Sequence, residues 1–246
     1  MKNETIRKLI AMRLPAFSDN YQKQIEREAE YVSMSFHERL ALMVDAEHDA
    51  RHTNNIKRLI KDAKFSNSSA FIGNIEYLPD RHINRDLMDS LADNEYIRQC
   101  LNVILVGATG SGKSFIANAL GVNACQNRYK TRYARLPELF CEIETARLQG
   151  KYQQIMKQFQ KYALIILDEF LLVPATEIEQ RDLLEVLEYR CGRSSTIVCS
   201  QFTPEGWHER LGGGVLADSI LDRIVPSAYI MKIEGDVSMR QRKSVM

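Results

Sequence analysis

NVILVGATGSGKSFIANAL, residues 102–120, passes from an unbroken apolar run through glycines to Lys113 and Ser114, then into a helical pattern. Its centre satisfies the phosphate-loop signature GxxxxGK[ST] in full: Gly107, Ala108, Thr109, Gly110, Ser111, Gly112, Lys113 and Ser114, with Phe115 following. The glycines allow backbone N–H groups to converge on phosphate oxygens at the positive end of the next helix. In such a loop the lysine bridges the β and γ phosphates, and the hydroxyl, here that of Ser114, ligates Mg²⁺. A strand before and a helix after are the context the signature requires, which points to a nucleotide-binding α/β domain.

Working outward, ALIILDEF (163–170) ends a second apolar run with Asp168 and Glu169. Carboxylates are unfavourable in a core, but the carboxyl ends of strands are where open α/β sheets bind ligands. Asp168 is expected to hold Mg²⁺ through its water shell. Glu169 is expected to orient and polarise an attacking water, an acid pair suited to hydrolysis. TRYAR (131–135) and TIVCS (196–200) read as two further buried strands of a parallel, doubly wound sheet flanked by helices. The last of these ends in Ser200 and Gln201, either of which can sense a γ-phosphate. No NKxD element for guanine is found, which favours ATP. Downstream, Arg223 in LADSILDRI has two readings. One is a surface ion pair with Asp222 or Asp218; the other is an arginine finger supplied to a neighbouring subunit's ATP.

Ahead of this domain the chain reads as helical to about residue 64. Phe17, Tyr21, Ile25, Ala29 and Val32 recur at helical spacing, Ser35 and Glu38 form a capping-box pattern, and Ile56, Leu59, Ile60 and Ala63 make a second stripe. Arg51, Lys57, Arg58, Lys61 and Lys64 form a basic stretch, read either as a solvated face or as a phosphate-contacting one. The expected organisation is a helical N-terminal domain (1–66), a linker with a short helix (67–100), and the nucleotide-binding domain (101–246) without a separate lid. The chain has 246 residues, 45% hydrophobic and 26% charged, enough apolar material for a real core. A net charge of +1 means that any nucleic-acid surface must arise from local clustering. No apolar run approaches the roughly 18 residues that span a bilayer, so no membrane partner is expected. The five scattered cysteines suit a reduced cytoplasm.

Taken in order, GATGSGKS, LDEF, the polar end of the fourth strand and SILDRI resemble the core of an AAA+ ATPase. Two helical patterns between the second and third strands carry Leu136, Leu139, Ile143 and Ala146, then Tyr152, Ile155 and Phe159. An extra helix at that point resembles the initiator and helicase-loader clade. With the N-terminal SFHERLALMVDAEHDARHTNNIKRLIKDAKF, YARLPELF and the closing IEGDVSMRQR included, the chain from about residue 5 to 242 is similar to IstB-type proteins. Those are ATPase helpers encoded beside the transposase in bacterial insertion sequences.

The resemblance implies an AAA+ core behind a small all-helical domain. It implies ATP and Mg²⁺ as ligands, homo-oligomerisation on duplex DNA with little sequence preference, and engagement of a transposase to promote insertion. Residue by residue it places Lys113 and Ser114 on phosphate and Mg²⁺, Asp168 on Mg²⁺, Glu169 on water and Arg223 in trans, with Arg240 near the nucleotide. Two departures stand out: DEF where the family commonly has DDxG, and Ser114 where threonine is commoner. Arg132, Arg135 and Arg147, near the extra helices, join the N-terminal basic residues as DNA-contact candidates. No helix-turn-helix, zinc finger or aromatic stacking set is evident, so backbone contacts with steep salt dependence are expected. The competing readings are a DnaC-like helicase loader, a small-molecule kinase and a module that holds ATP without hydrolysing it. Glu169 and Arg223 argue against the kinase, and Glu169 against the module.

Overall fold

The apolar and capping patterns are realised in a computed structural model that describes residues 2–235 and 238–244. The chain divides into two compact units, 1–58 and 59–246, with the boundary inside one long helix. The first unit holds α1 (Lys2–Ala11), α2 (Pro15–Glu26), α3 (Glu28–Tyr31) and most of α4 (Phe36–Ala63). Glu47, nearly buried, accepts hydrogen bonds from the backbone N–H groups of Ala16 (3.0 Å) and Phe17 (3.1 Å). It thereby satisfies two of the donors that a helix start leaves orphaned. The capping box forms as expected, Ser35 N–H donating to Glu38 at 2.7 Å and Glu38 N–H to the Ser35 hydroxyl at 3.3 Å. The first apolar stripe is shorter than its spacing suggested. Backbone angles at Arg27 leave the helical region, α2 stops, and Val32 is 75% exposed.

In the second unit, the region between α4 and the first strand is not bare chain. It carries short 3-10 turns at Ile72–Asn74 and Pro79–Arg81, then α5 (Arg85–Ala92) and α6 (Glu95–Arg98). Ile75, Ile83, Met88, Leu91, Tyr96 and Ile97 from it are buried against the sheet. The expected strands then follow as β1 (Asn102–Gly107), β2 (Thr131–Arg135), β3 (Leu164–Asp168) and β4 (Ser195–Ser200). A fifth strand, β5 (Ala228–Ile233), was not anticipated. All pairings are parallel, in the order β2-β3-β4-β1-β5. The intervening helices are α7 (Lys113–Gln126), α8 (Leu136–Leu148), α9 (Tyr152–Phe159), α10 (Glu177–Arg190), α11 (Pro204–Arg210) and α12 (Gly214–Ile224), with α13 (Met239–Ser244) after β5.

Because successive strand residues face opposite ways, each apolar run feeds two cores. Ile104, Val106, Ile165, Leu167 and Val198 pack with α8 to α12 on one face. Val103, Leu105, Ile166, Ile197 and Cys199 pack with α5, α6 and α7 on the other. Arg190, essentially buried, donates to the carbonyls of Phe159, Tyr162 and Ser195 and to the Thr196 hydroxyl, tying α9, α10 and β4 together. No helix among the described residues is long and apolar enough to cross a membrane.

Candidate functional site

The sheet register brings Asp168 and Ser200 to the same edge as the phosphate loop. Val106 lies opposite Ser200, and Arg135 opposite Asp168, so four strands end together where β1 passes into the phosphate loop. Two glycines of the loop are sterically required. A Cβ on Gly107 would fall 2.2 Å from the Ile233 carbonyl oxygen of β5. Gly112 caps α7 at φ +94°, a backbone that L side chains rarely adopt. The 14-residue α7 then presents its N-terminal N–H groups at this edge. The Lys113 ammonium folds back on the loop, donating to the carbonyls of Gly107 (2.7 Å) and Ala108 (2.8 Å). Burial lowers its pKa, with Cys199 and Asp168 pulling the other way.

Asp168 is buried and held at both oxygens. The Tyr133 hydroxyl donates to Oδ2 at 2.8 Å, and the Glu169 N–H donates to Oδ1 at 2.8 Å. Burial pushes the Tyr133 phenol up, so it stays a donor. Glu169 and Leu171 occupy the left-handed region at φ 53° and 52°. That conformation costs roughly 1–2 kcal/mol for each L residue. Its neighbours hold it in place: Phe170 N–H donates to the Cys199 carbonyl at 2.9 Å, and Arg210 of α11 donates to the carbonyls of Leu171 and Leu172. The strain turns the Glu169 carboxylate out of the core, where Arg135 meets it at 2.7 Å.

Ser200 and Gln201 separate. The Ser200 hydroxyl is buried; it donates to the Phe170 carbonyl (2.9 Å) and accepts from Trp207 Nε1 (3.0 Å) and Phe202 N–H (3.1 Å). It is fully engaged in holding β3, β4 and α11 together. Gln201 is exposed. Arg223 pairs with Glu188 of α10, in place of either aspartate considered from the sequence, and donates to the Ser219 carbonyl at 2.7 Å. Its own carbonyl accepts from Asn102, at the start of β1. That is about 17 Å of strand away from the phosphate loop, so Arg223 has no part in its own subunit's loop. The Arg240 side chain lies outside the described residues.

A cleft of about 340 Å³ opens beside the loop, lined by Gly110, Gly112, Lys113, Ser114, Phe115 and Asn118, together with Ser66, Asn67, Asn74, Glu76, Arg81 and Met239. The region before β1 thus supplies five of its twelve lining residues, and α13 supplies Met239, neither of them anticipated from the sequence. The Ser111 hydroxyl and Arg81 Nε are buried here without a partner among the described residues. Orphaned donors, an ammonium and a helix N-terminus fit an anionic, phosphate-bearing ligand.

The three arginines expected at a DNA surface are otherwise occupied. Arg132 is nearly buried against Glu142 (2.8 Å), Arg135 sits between Glu138 and Glu169, and Arg147 lies between Glu144 and Asp182. Arg51 is bound by Glu47 at 2.7 Å and donates to the Arg13 carbonyl. Lys57, Arg58, Lys61 and Lys64 are exposed.

The chain and its fold have counterparts among known proteins. The chain is 33% identical to the insertion sequence ATP-binding protein y4uH of Sinorhizobium fredii, across 99% of this chain and 97% of that one. It is 35% identical to the ATP-binding protein of insertion sequence IS1162 from Pseudomonas fluorescens, across 82% and 87%. Among solved structures, AMPPCP-bound DnaA from Aquifex aeolicus superposes with a TM-score of 0.60 at 16% identity, covering 73% of this chain and 54% of that one. DnaI superposes at 0.58 and 20% identity, covering 70% and 91%. At these identities the likeness is one of fold, the AAA+ arrangement. Residues 7–246 match the family described as IstB-like ATP binding protein. The chain is an ATPase of AAA+ fold and belongs to that family.

Proposed function

We propose that this ATPase is an assembly switch for transposition. In the cytoplasm it binds ATP, oligomerises on duplex DNA with little sequence preference, engages the transposase of its insertion sequence and promotes insertion, while hydrolysis regulates the complex. The observation that supports this most is whole-length similarity to insertion sequence ATP-binding proteins in a chain with a complete phosphate loop.

The residues divide the work by position. Lys113, once lifted from the Gly107 and Ala108 carbonyls, neutralises phosphate charge, and the N–H groups at the start of α7 bind phosphate oxygens. Ser114 and Asp168 are hard oxygen donors of the kind that suit Mg²⁺, which would offset the negative charge of the phosphates. Glu169, turned outward by its left-handed backbone, orients water. Gln201, at the exposed strand end, is the better placed of the two sensor candidates. Arg223, unable to reach its own site, acts on the ATP of a neighbouring subunit, and Arg240 is assigned to the nucleotide by family resemblance alone.

For DNA, a second cleft of about 670 Å³ is lined by Lys130, Lys151, Lys157 and Lys161, with Gln153, Gln154, Gln158 and Gly150. All four lysines are exposed, and none pairs with a carboxylate among the described residues. The lining has no apolar anchor, and lysine is depleted in protein interfaces, so the surface suits a phosphate backbone better than a protein. Within the second unit it is the proposed DNA contact, in place of the ion-paired Arg132, Arg135 and Arg147, while Lys57, Arg58, Lys61 and Lys64, in and just after α4, are a separate candidate.

The test measures ATP turnover and particle size by light scattering, with and without random-sequence duplex DNA. Growth with ATP plus DNA and a change in turnover are expected; an unchanged monomer with DNA-blind turnover refutes the proposal. Replacing the four cleft lysines by glutamine should reduce the salt slope of DNA binding by about 3–4.

A further inference from the structure

Arg81 sits at the end of a 3-10 turn, 30 residues before the loop it touches, and is only 4% exposed. Its guanidinium donates through Nη1 to the Glu76 carbonyl (2.6 Å) and through Nη2 to the Ser111 carbonyl (2.7 Å). It is close enough to the loop that a Cβ on Gly112 would fall 2.6 Å from Nη2. Burial lowers its pKa, the sign of a charge held against its solvation preference. Stability alone explains such a residue poorly, because apolar side chains of similar volume commonly replace buried charges at no loss.

The contact matters through the peptide it grips. A trans peptide unit is planar, so the Ser111 C=O and the Gly112 N–H point in opposite directions. Fixing the carbonyl on Arg81 therefore fixes the direction of the Gly112 N–H, at the start of α7 in the wall of the cleft. One residue earlier, the Met239 N–H of α13 donates to the Gly110 carbonyl at 2.9 Å. Arg242 of the same helix pairs with Asp80, beside Arg81. Two successive loop carbonyls are therefore held from outside, by the segment before β1 and by the helix after β5.

We propose that Arg81 is a positioning residue for the phosphate loop, locking the Ser111–Gly112 peptide so that the Gly112 N–H is preset for the polyphosphate. Phosphate affinity then depends on a residue outside the motif.

The test compares wild type, Arg81→Met, Arg81→Lys and Arg81→Ala in binding ATP and inorganic tripolyphosphate, which engages the loop without a base. Arg81→Met is expected to weaken both by a similar factor, roughly tenfold, with KM rising by more than kcat falls. Arg81→Lys keeps the cation but loses the two-pronged grip and should fall between; it gives the same reading if Arg81→Met does not fold. Added guanidinium ion should restore part of the affinity of Arg81→Ala. Wild-type affinity in Arg81→Met would overturn the proposal. So would a loss confined to ATP with tripolyphosphate unaffected, which would put Arg81 on the base.

Discussion

Ser200→Ala separates a structural from a nucleotide-sensing role at the end of β4. The substitution removes one oxygen and orphans the Trp207 indole N–H, the Phe202 N–H and the hydroxyl bond to the Phe170 carbonyl. Trp207 is fully buried, and its ring is edge-on to Phe170 at 4.8 Å. A buried donor stripped of its partner costs about 1–3 kcal/mol, and the half-buried Phe202 N–H adds less. The sum is about 2–4 kcal/mol, which lowers Tm by about 5–15 °C for a unit of this size. Trp207 is the only tryptophan of the chain, so urea unfolding followed by its fluorescence reads the loss at the site itself. ATP affinity should stay within about twofold, because no Ser200 hydrogen bond is left over for a ligand. Unchanged stability together with a large loss of ATP affinity would refute this account and restore Ser200 as the sensor.

Two other expectations concern turnover and nucleotide affinity. Arg223→Ala should bind ATP normally and lose turnover, and mixing it with Lys113→Ala subunits should restore part of that turnover; full activity of Arg223→Ala alone would end the trans assignment. For Lys113, burial places the folded pKa below the unfolded one, so the unfolded chain binds more protons in the interval between them. Ligand-free stability should therefore rise with pH across that window, while ATP affinity falls as the ammonium is lost. Calorimetric titrations from neutral pH up to the ordinary lysine range should show the fall beginning below that range, and a flat profile would contradict it.

Much of this was legible because buried parallel strands leave continuous apolar runs and phosphate loops need glycine at fixed spacing. Four of five strands and the loop follow from those two facts. β5 was not read because AYIMKI is an edge strand, its residues alternating between partial exposure and burial, with Lys232 and an exposed Ile230 breaking the run. The segment from 65 to 100 looked like linker because its polar clusters mark turns, yet its isolated apolar residues, such as Met88 and Tyr96, fill the core. Arg81 and Tyr133 carry no local signal at all: their meaning lies in partners 30 and 35 residues away. The ion pairs of the basic residues were hidden for a related reason. Arg132, Arg135 and Arg147 read as free charge, but each has a carboxylate within reach once the helices pack.

The strand order has a consequence for synthesis. β1 is flanked by β4 and β5, so Val103 pairs with Ile197 and Tyr229, residues made long after it. At a translation speed of about 5–20 residues per second, β1 waits roughly 5–20 s on the ribosome before its first sheet neighbour exists. Through that interval an apolar strand stands with both hydrogen-bonding edges open, the state most prone to sticking to other chains. The cleft beside the phosphate loop takes Met239 of α13 into its wall, so its lining is complete only after β4, β5 and the start of α13 have been made.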